Sequence, residues 1–405
     1  MRTNKESNNV IEEIFKEYRR IKDVNTIKLD QMRSDLNSVS DRIVLYGAGS
    51  AGIAFLYYLR DIGIYPVCFS DGNPKMWGKT REGLEIIDYH EIPERVGSDA
   101  LVIITINTDG VKYCKSFSEA LRNGGHEAVH RQLHESGCEN VIDYTYFRRC
   151  RDLFRGDRYN LPSCSDIYEM EEHEKDICEA YELLNDEKSR EVFEKIIRFR
   201  LIDDSVKIPT ESQERQYFEY EFFPHFSNEV FVDCGAYNGI SLNVFLRENS
   251  NRFSKYYGIE PDVDNYIELE KYVNSLPTEI RNKVSIFNKC AYDSNTDLRL
   301  YSLAGPGSFL ADIGSQHVMG MRIDDIDVDL PVSFIKMNIE GTEIPALRGA
   351  KKTIRDQAPR LAIAGYHKTR DLWTIPLMIN KMNDNYRFHI RSYMNNISFV
   401  FYAEV

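Results

Sequence analysis

Short apolar runs that break at glycine, each followed by residues at helical spacing, recur through most of the chain. Arg42–Tyr46 (RIVLY) is one such run; it enters Gly47-Ala48-Gly49-Ser50-Ala51-Gly52 and then Ile53–Ile62, a predicted helix closed by Gly63. Tyr65–Ser70 predicts a second strand ending at Asp71, with a polar turn over Asn73–Lys79. Leu101–Ile106 predicts another strand, and Lys112–Asn123 a helix stopped by Gly124 and Gly125. Uninterrupted apolar strands are those covered on both faces, and strand–helix alternation predicts a parallel α/β sheet over residues 41–150. Ahead of it, Val10, Ile11, Ile14, Phe15, Tyr18 and Ile21 recur at helical spacing and predict a helical arm over 1–40, for packing or dimerisation.

Residues 151–228 change character. They are rich in Glu, Asp, Lys and Arg, nearly lack glycine, and show helical periodicity at Ile177–Leu184 and Val192–Leu201. A helical connector is predicted, not a flexible linker. A second strand–glycine–helix series then begins at Glu229. Strands are predicted at Val230–Asp233, Lys255–Glu260, Val284–Asn288, Phe334–Ile339 and Arg360–Tyr366. Helices are predicted at Ser241–Arg247, Ile267–Asn274, Ala346–Ile354 and Trp373–Met382. Arg387–Tyr393 and Ile397–Ala403 predict a closing hairpin around Asn395-Asn396. The fold class is α/β, with two doubly wound Rossmann-like domains joined by a helical connector; the second spans 229–405.

Bulk properties narrow the function. The 405 residues are 42% hydrophobic and 28% charged, enough for more than one buried core. A net charge of −13 argues against a duplex nucleic-acid substrate, which needs a basic face. Eight irregularly spaced cysteines form no C-x-x-C pair, so reduced thiols in a cytoplasmic protein are expected, with no metal site. The polar N-terminus shows no signal-peptide pattern, and no apolar run is long enough to span a membrane.

The chemistry gathers at the ends of the second set of strands. Phe231-Val232-Asp233 runs into Cys234-Gly235-Ala236-Tyr237-Asn238-Gly239, a strand entering a glycine turn that opens a helix. The spacing D-x-G-x-x-x-G favours a cationic amino-acid moiety over a dinucleotide diphosphate, with Asp233 supplying the facing charge. Tyr257-Gly258-Ile259-Glu260-Pro261-Asp262 ends the next strand, where Glu260 is placed to accept ribose hydroxyls. Ala291 is expected to complete the cofactor set. Phe334-Ile335-Lys336-Met337-Asn338-Ile339-Glu340-Gly341-Thr342-Glu343 and Ile363-Ala364-Gly365-Tyr366-His367-Lys368 place charged groups at two further strand ends.

These four segments, in this order and spacing, resemble the FkbM family of methyltransferases over roughly 229–405. The resemblance implies S-adenosylmethionine as cofactor and O-methylation of a sugar or polyketide hydroxyl, here a saccharide or glycan precursor. It implies in-line displacement at an activated methyl, with the protein supplying position and a base. His367 is the expected base because its ordinary pKa lies near neutrality. Asn338, Glu340 and Lys336 are expected to orient the acceptor, Glu343 to do the same or cap a helix, and Gly305–Ser308 to touch the methionine or acceptor end. The family carries aspartate where this chain has Asn338, and asparagine is neutral and a poor base. A catalytically weakened cofactor-binding module therefore stands as the alternative.

The first α/β unit carries a full G-x-G-x-x-G in Gly47, Gly49 and Gly52, with Asp71 at the end of the next strand. That is the setting of a dinucleotide fingerprint. The segment resembles the Rossmann-like domains ahead of some sugar-modifying enzymes, which implies a nucleotide or sugar site, or a scaffold. No second catalytic set accompanies it. A homodimer is the expected assembly.

Overall fold

In the computed structural model, described for residues 4–106, 114, 116–123, 127–159, 161, 164–202, 206–222, 228–302, 307–312, 314–394 and 398–405, the chain divides into two compact units. One holds residues 13–172 and 197–207; the other holds 1–12, 173–196 and 208–405. The segment 151–228, expected as one connector, is shared between them.

The first unit is built on a six-stranded sheet. Its strands are β1 (Ile43–Tyr46), β2 (Cys68–Asp71), β3 (Thr80–Arg81), β4 (Leu84–Asp88), β5 (Leu101–Ile104) and β6 (Asn140–Asp143), in the order β3-β4-β2-β1-β5-β6. All pairings are parallel except β3 with β4. β1 and β5 are buried along their whole length, as four apolar residues in a row require of a strand covered on both faces. Helix Ser50–Asp61 follows the glycine turn and buries its apolar residues. β3, β4 and β6 were not predicted. The expected helix from Lys112 begins, among the described residues, at Phe117; Lys112, Gly124 and Gly125 lie outside those residues.

The second unit holds a seven-stranded sheet. Its strands are β7 (Val230–Cys234), β8 (Lys255–Ile259), β9 (Val284–Phe287), β14 (Phe334–Met337), β15 (Arg360–Ala364), β16 (Arg387–Met394) and β17 (Ser398–Glu404), in the order β16-β17-β15-β14-β7-β8-β9. β17 runs antiparallel to β15 and β16, and the other pairs are parallel. The predicted hairpin is present, while its turn at Asn395-Asn396 lies outside the described residues. Unpredicted is a four-stranded sheet of β10 (Cys290–Ala291), β11 (Asp297–Tyr301), β12 (Phe309–Leu310) and β13 (Gln316–Met321). The single helix expected over Ala346–Ile354 is two, Glu343–Gly349 and Lys351–Gln357.

Part of the charged segment anchors in this unit. Leu184 bridges Phe388 and Thr210 bridges Ser392 beside β16. Arg391, fully buried, reaches Asp186 at 3.3 Å, Ser189 at 2.8 Å and Glu221 at 3.1 Å, so its charge is compensated inside the protein.

Candidate active site

β7 ends where its neighbours force a sharp turn. Gly235 has φ +80, and a Cβ there would lie 2.0 Å from the carbonyl oxygen of Asn338, so only glycine fits against the end of β14. Gly239, at φ +94, opens helix Ile240–Glu248. Glu260, just after β8, closes on this turn. Its Oε2 accepts the Tyr237 N–H at 2.9 Å, and its Oε1 accepts the Asp262 N–H at 3.0 Å. Burial pushes the Glu260 carboxyl up to about 7, against these hydrogen bonds, which favour the charged form.

A cavity of about 150 Å³ opens between the strand ends. Gly235, Tyr237, Glu260, Pro261 and Ala291, all expected at the cofactor, line it together with Asn338 and Glu340. Gly307 and Ser308 also line it, whereas Gly305 lies outside the described residues. Asn265, Cys290, Leu300, Leu310 and Thr342 were missed. Asn265 was findable, since it sits in the first turn of the helix that follows Pro261-Asp262; Leu300 and Leu310 come from the small sheet and left no signal.

Several expected site residues stand elsewhere. Asp233 is fully buried beneath the turn, not facing a cofactor cation. Its Oδ1 lies 2.9 Å from Lys336 Nζ, and its Oδ2 accepts from Tyr256 at 2.7 Å and from Ser241. Register explains the pairing: Lys336 on β14 sits opposite Asp233 on β7. Lys336 also donates to the carbonyls of Gly235 at 2.8 Å and Cys234 at 3.3 Å, so it holds the turn and does not orient an acceptor. Asp262 caps helix Val263–Ser275 and accepts from Ser302 at 2.6 Å and Ser308 at 2.7 Å. Ala236, Asn238 and Gly239 shape the turn without lining the cavity.

Behind the cavity lies a buried relay. Glu343 Oε1 accepts from the Ile339 N–H at 2.9 Å and faces His367 Nδ1 at 2.8 Å, while Oε2 accepts from Gly341 at 3.0 Å. His367 Nε2 lies 3.5 Å from Glu340 Oε1, longer than a good hydrogen bond but close enough for attraction between the buried ring and the half-buried carboxylate. Burial disfavours a charged imidazole, yet the Glu343 and Glu340 carboxylates outweigh it and hold His367 well above its ordinary range. Glu343 is also fully buried, and the His367 cation overcomes that burial and keeps its carboxyl below the usual value. Both carboxylates thus favour the protonated imidazole, and His367, expected as the base, sits behind Glu340 and does not line the cavity. Asp371 lies within 4.8 Å of the Glu343 and His367 donor atoms, and it accepts the Lys368 N–H at 2.8 Å.

Two residues at the rim are unusual. Glu340 has φ +52, a strained conformation for a non-glycine residue and one that concentrates at functional sites. The Tyr366 hydroxyl donates to Asn338 Oδ1 at 3.1 Å, which leaves the Asn338 amide N–H free to donate.

In the first unit, Asp71 closes its glycine turn by the same device. Its Oδ2 accepts from the Ala48 N–H at 2.9 Å and its Oδ1 from Asn73 at 2.8 Å. Arg81 donates to the Ala48 carbonyl at 2.6 Å and Trp77 to the Asp71 carbonyl at 2.7 Å. Gly47, Gly49 and Gly52 are brought together as predicted, and a Cβ on Gly52 would lie 1.9 Å from the Gly47 carbonyl oxygen.

Residues 233–401 match the family model of the methyltransferase FkbM domain. Over these residues the C-terminal domain is similar to the methyltransferase FkbM domain, and the cofactor this similarity supports is S-adenosylmethionine. By structure the chain is similar to the methyltransferase FkbM from Methylobacillus flagellatus KT. The TM-score is 0.67 at 19% identity, over 96% of this chain and 99% of that one, a likeness of fold. Looser likenesses, which carry no argument, include an rRNA methylase from Streptococcus thermophilus and fibrillarin from Aeropyrum pernix with bound S-adenosyl-L-methionine. The first has TM-score 0.30 at 13% identity, over 44% of this chain and 87% of that one. The second has TM-score 0.29 at 11% identity, over 44% of this chain and 66% of that one. A comparison with curated protein sequences gives no match. Among the described residues no helix is long and apolar enough to cross a membrane.

Proposed function

We propose that this protein binds S-adenosylmethionine in the cavity at the strand ends and transfers its methyl group to a hydroxyl of a saccharide or glycan precursor. The supporting observation is Glu340, a carboxylate on the cavity wall backed by the buried His367–Glu343 pair. Glu260 would accept the ribose hydroxyls with the lone pairs left by its two backbone partners. The acceptor oxygen attacks the methyl carbon as the carbon–sulfur bond breaks, and the electron pair returns to sulfur, giving a neutral thioether. Glu340 takes the hydroxyl proton as the new bond forms. His367 behind it fixes its orientation. Asn338 donates a hydrogen bond to the acceptor.

The test is incubation of the full chain with cofactor and a glycan fraction from its host, read as a mass gain of one methyl group. Glu340→Gln should lower turnover by about a hundredfold or more, with cofactor binding retained. Undiminished turnover in that variant rules out Glu340 as the base, and an unmodified glycan rules out the saccharide acceptor.

A second reading, a binding module with weakened turnover, draws on Asn338 itself, which is neutral where the resembled family has an acid. A large gain of activity in Asn338→Asp favours it; loss or no change favours the donor role.

A further inference from the structure

A second cavity lies wholly within the first unit and is lined by Arg148, Arg149, Arg151 and Arg200 with Asn25 and Ser165. Four arginines around one opening are notable in a chain of net charge −13. We propose that this cavity binds a single phosphate group, as free phosphate or as the end of a phosphate monoester.

Three observations support this. First, two of the cations rest on aromatic rings, with no acidic partner among the described residues. The Arg148 guanidinium lies 4.1 Å over the Phe199 ring and Arg151 lies 4.6 Å over Tyr18. A ring orients a guanidinium without neutralising it. Other arginines of the chain pair with carboxylates, as in Arg42–Asp99, Arg95–Glu85 and Arg158–Asp61. Second, Arg151 is 8% exposed, and a buried cation is stable only with charge compensation, which an anion would supply. Arg149 is pre-set too, since its Nε donates to the Asn25 carbonyl at 2.9 Å. Third, the size fits. The cavity is about 60 Å³, room for a few waters and therefore for one phosphate group, not a whole nucleotide. Planar guanidinium forks match phosphate oxygens pairwise.

The experiment uses the full chain in calorimetry and thermal unfolding, titrated with inorganic phosphate and, separately, with chloride at matched ionic strength. Phosphate should raise Tm where chloride does not. Arg148→Gln should weaken phosphate binding about tenfold. Arg148→Lys, which keeps the charge but loses the fork, should weaken it less. Cofactor binding in the other unit should be unchanged in both variants, which shows that they fold. Tighter binding of a sugar phosphate than of phosphate identifies the ester as the ligand, and equal binding identifies the free ion. Stabilisation by chloride equal to that by phosphate, or phosphate binding unaltered in Arg148→Gln, overturns the proposal.

Discussion

The two glycine turns of this chain are closed by the same three-part device and differ in what lies beneath and beyond them. In each, the carboxylate ending the neighbouring strand accepts one N–H from the turn and one from its own loop: Asp71 in the first, Glu260 in the second. In each, a side chain from the strand on the other side ties down the carbonyls where strand becomes turn. In the first this is the Thr105 hydroxyl, 3.0 Å from the carbonyls of both Tyr46 and Gly47. In the second it is the Lys336 ammonium, itself paired with buried Asp233. From that side the first turn is thus held by a neutral hydroxyl, the second by a buried ion pair. The second also faces a cavity walled by Asn338 and Glu340, with the His367–Glu343 pair behind it. A shared turn does not make a shared site; the charged groups on the adjoining strand ends decide the chemistry.

The largest expected effect separates the two supports. Lys336→Met should cost about 3–5 kcal/mol of stability, because it strands the Asp233 charge, whereas Thr105→Val should cost about 1–3 kcal/mol. Denaturant unfolding of both variants measures the gap, and adding Asp233→Asn to Lys336→Met should recover much of the loss. Equal costs would mean that the ion pair adds nothing over a hydroxyl.

Next comes the relay, which has no counterpart in the first turn. His367 has a raised pKa in the folded protein, so its contribution to stability is complete below its ordinary value of 6.5 and is lost as pH rises through the higher folded value. Thermal unfolding should therefore show an alkaline loss of stability that is smaller in His367→Gln. The same variant should reduce turnover by about tenfold to a hundredfold while leaving the cofactor Kd nearly unchanged, since His367 does not line the cavity. A Kd that moves as far as turnover would place His367 at the cofactor instead.

A smaller effect concerns pH and binding. Burial pushes the Glu260 carboxyl up to about 7, and ribose hydroxyls would favour its charged form. Cofactor affinity should therefore be full above about pH 7 and fall below it, by up to about tenfold per pH unit. Glu260→Gln should bind more weakly and lose that dependence. The smallest expected effect is that of Asp71→Asn, which should leave cofactor affinity within about twofold, because its hydrogen bonds stay within the first unit.

Much of the fold was legible because the strands of both large sheets are continuous apolar runs, as in Ile43–Tyr46 and Val230–Val232. β11 was not, because its residues Asp297–Tyr301 are mostly exposed or half-buried and carry charge. The break near Gly349 was hidden because it depends on a distant segment: a Cβ there would lie 2.0 Å from the Tyr292 carbonyl oxygen. In the site, Glu260, Asn338 and Glu340 were legible from their place at strand ends. The engagement of Asp233 by Lys336 was not, since it follows from β7–β14 register that neither segment encodes alone. The surroundings of His367 were hidden for a related reason. Its ordinary pKa suggests a base, and only the fold brings Glu343 to 2.8 Å and Glu340 to 3.5 Å from its two nitrogens.

The most direct test of the account is a calorimetric titration of S-adenosylmethionine into the full chain, its Glu260→Gln variant and its Asp71→Asn variant. The account predicts one site per chain, bound at least about tenfold more weakly in Glu260→Gln and nearly unchanged in Asp71→Asn. Binding that survives Glu260→Gln but fails in Asp71→Asn would place the cofactor at the first turn and contradict it.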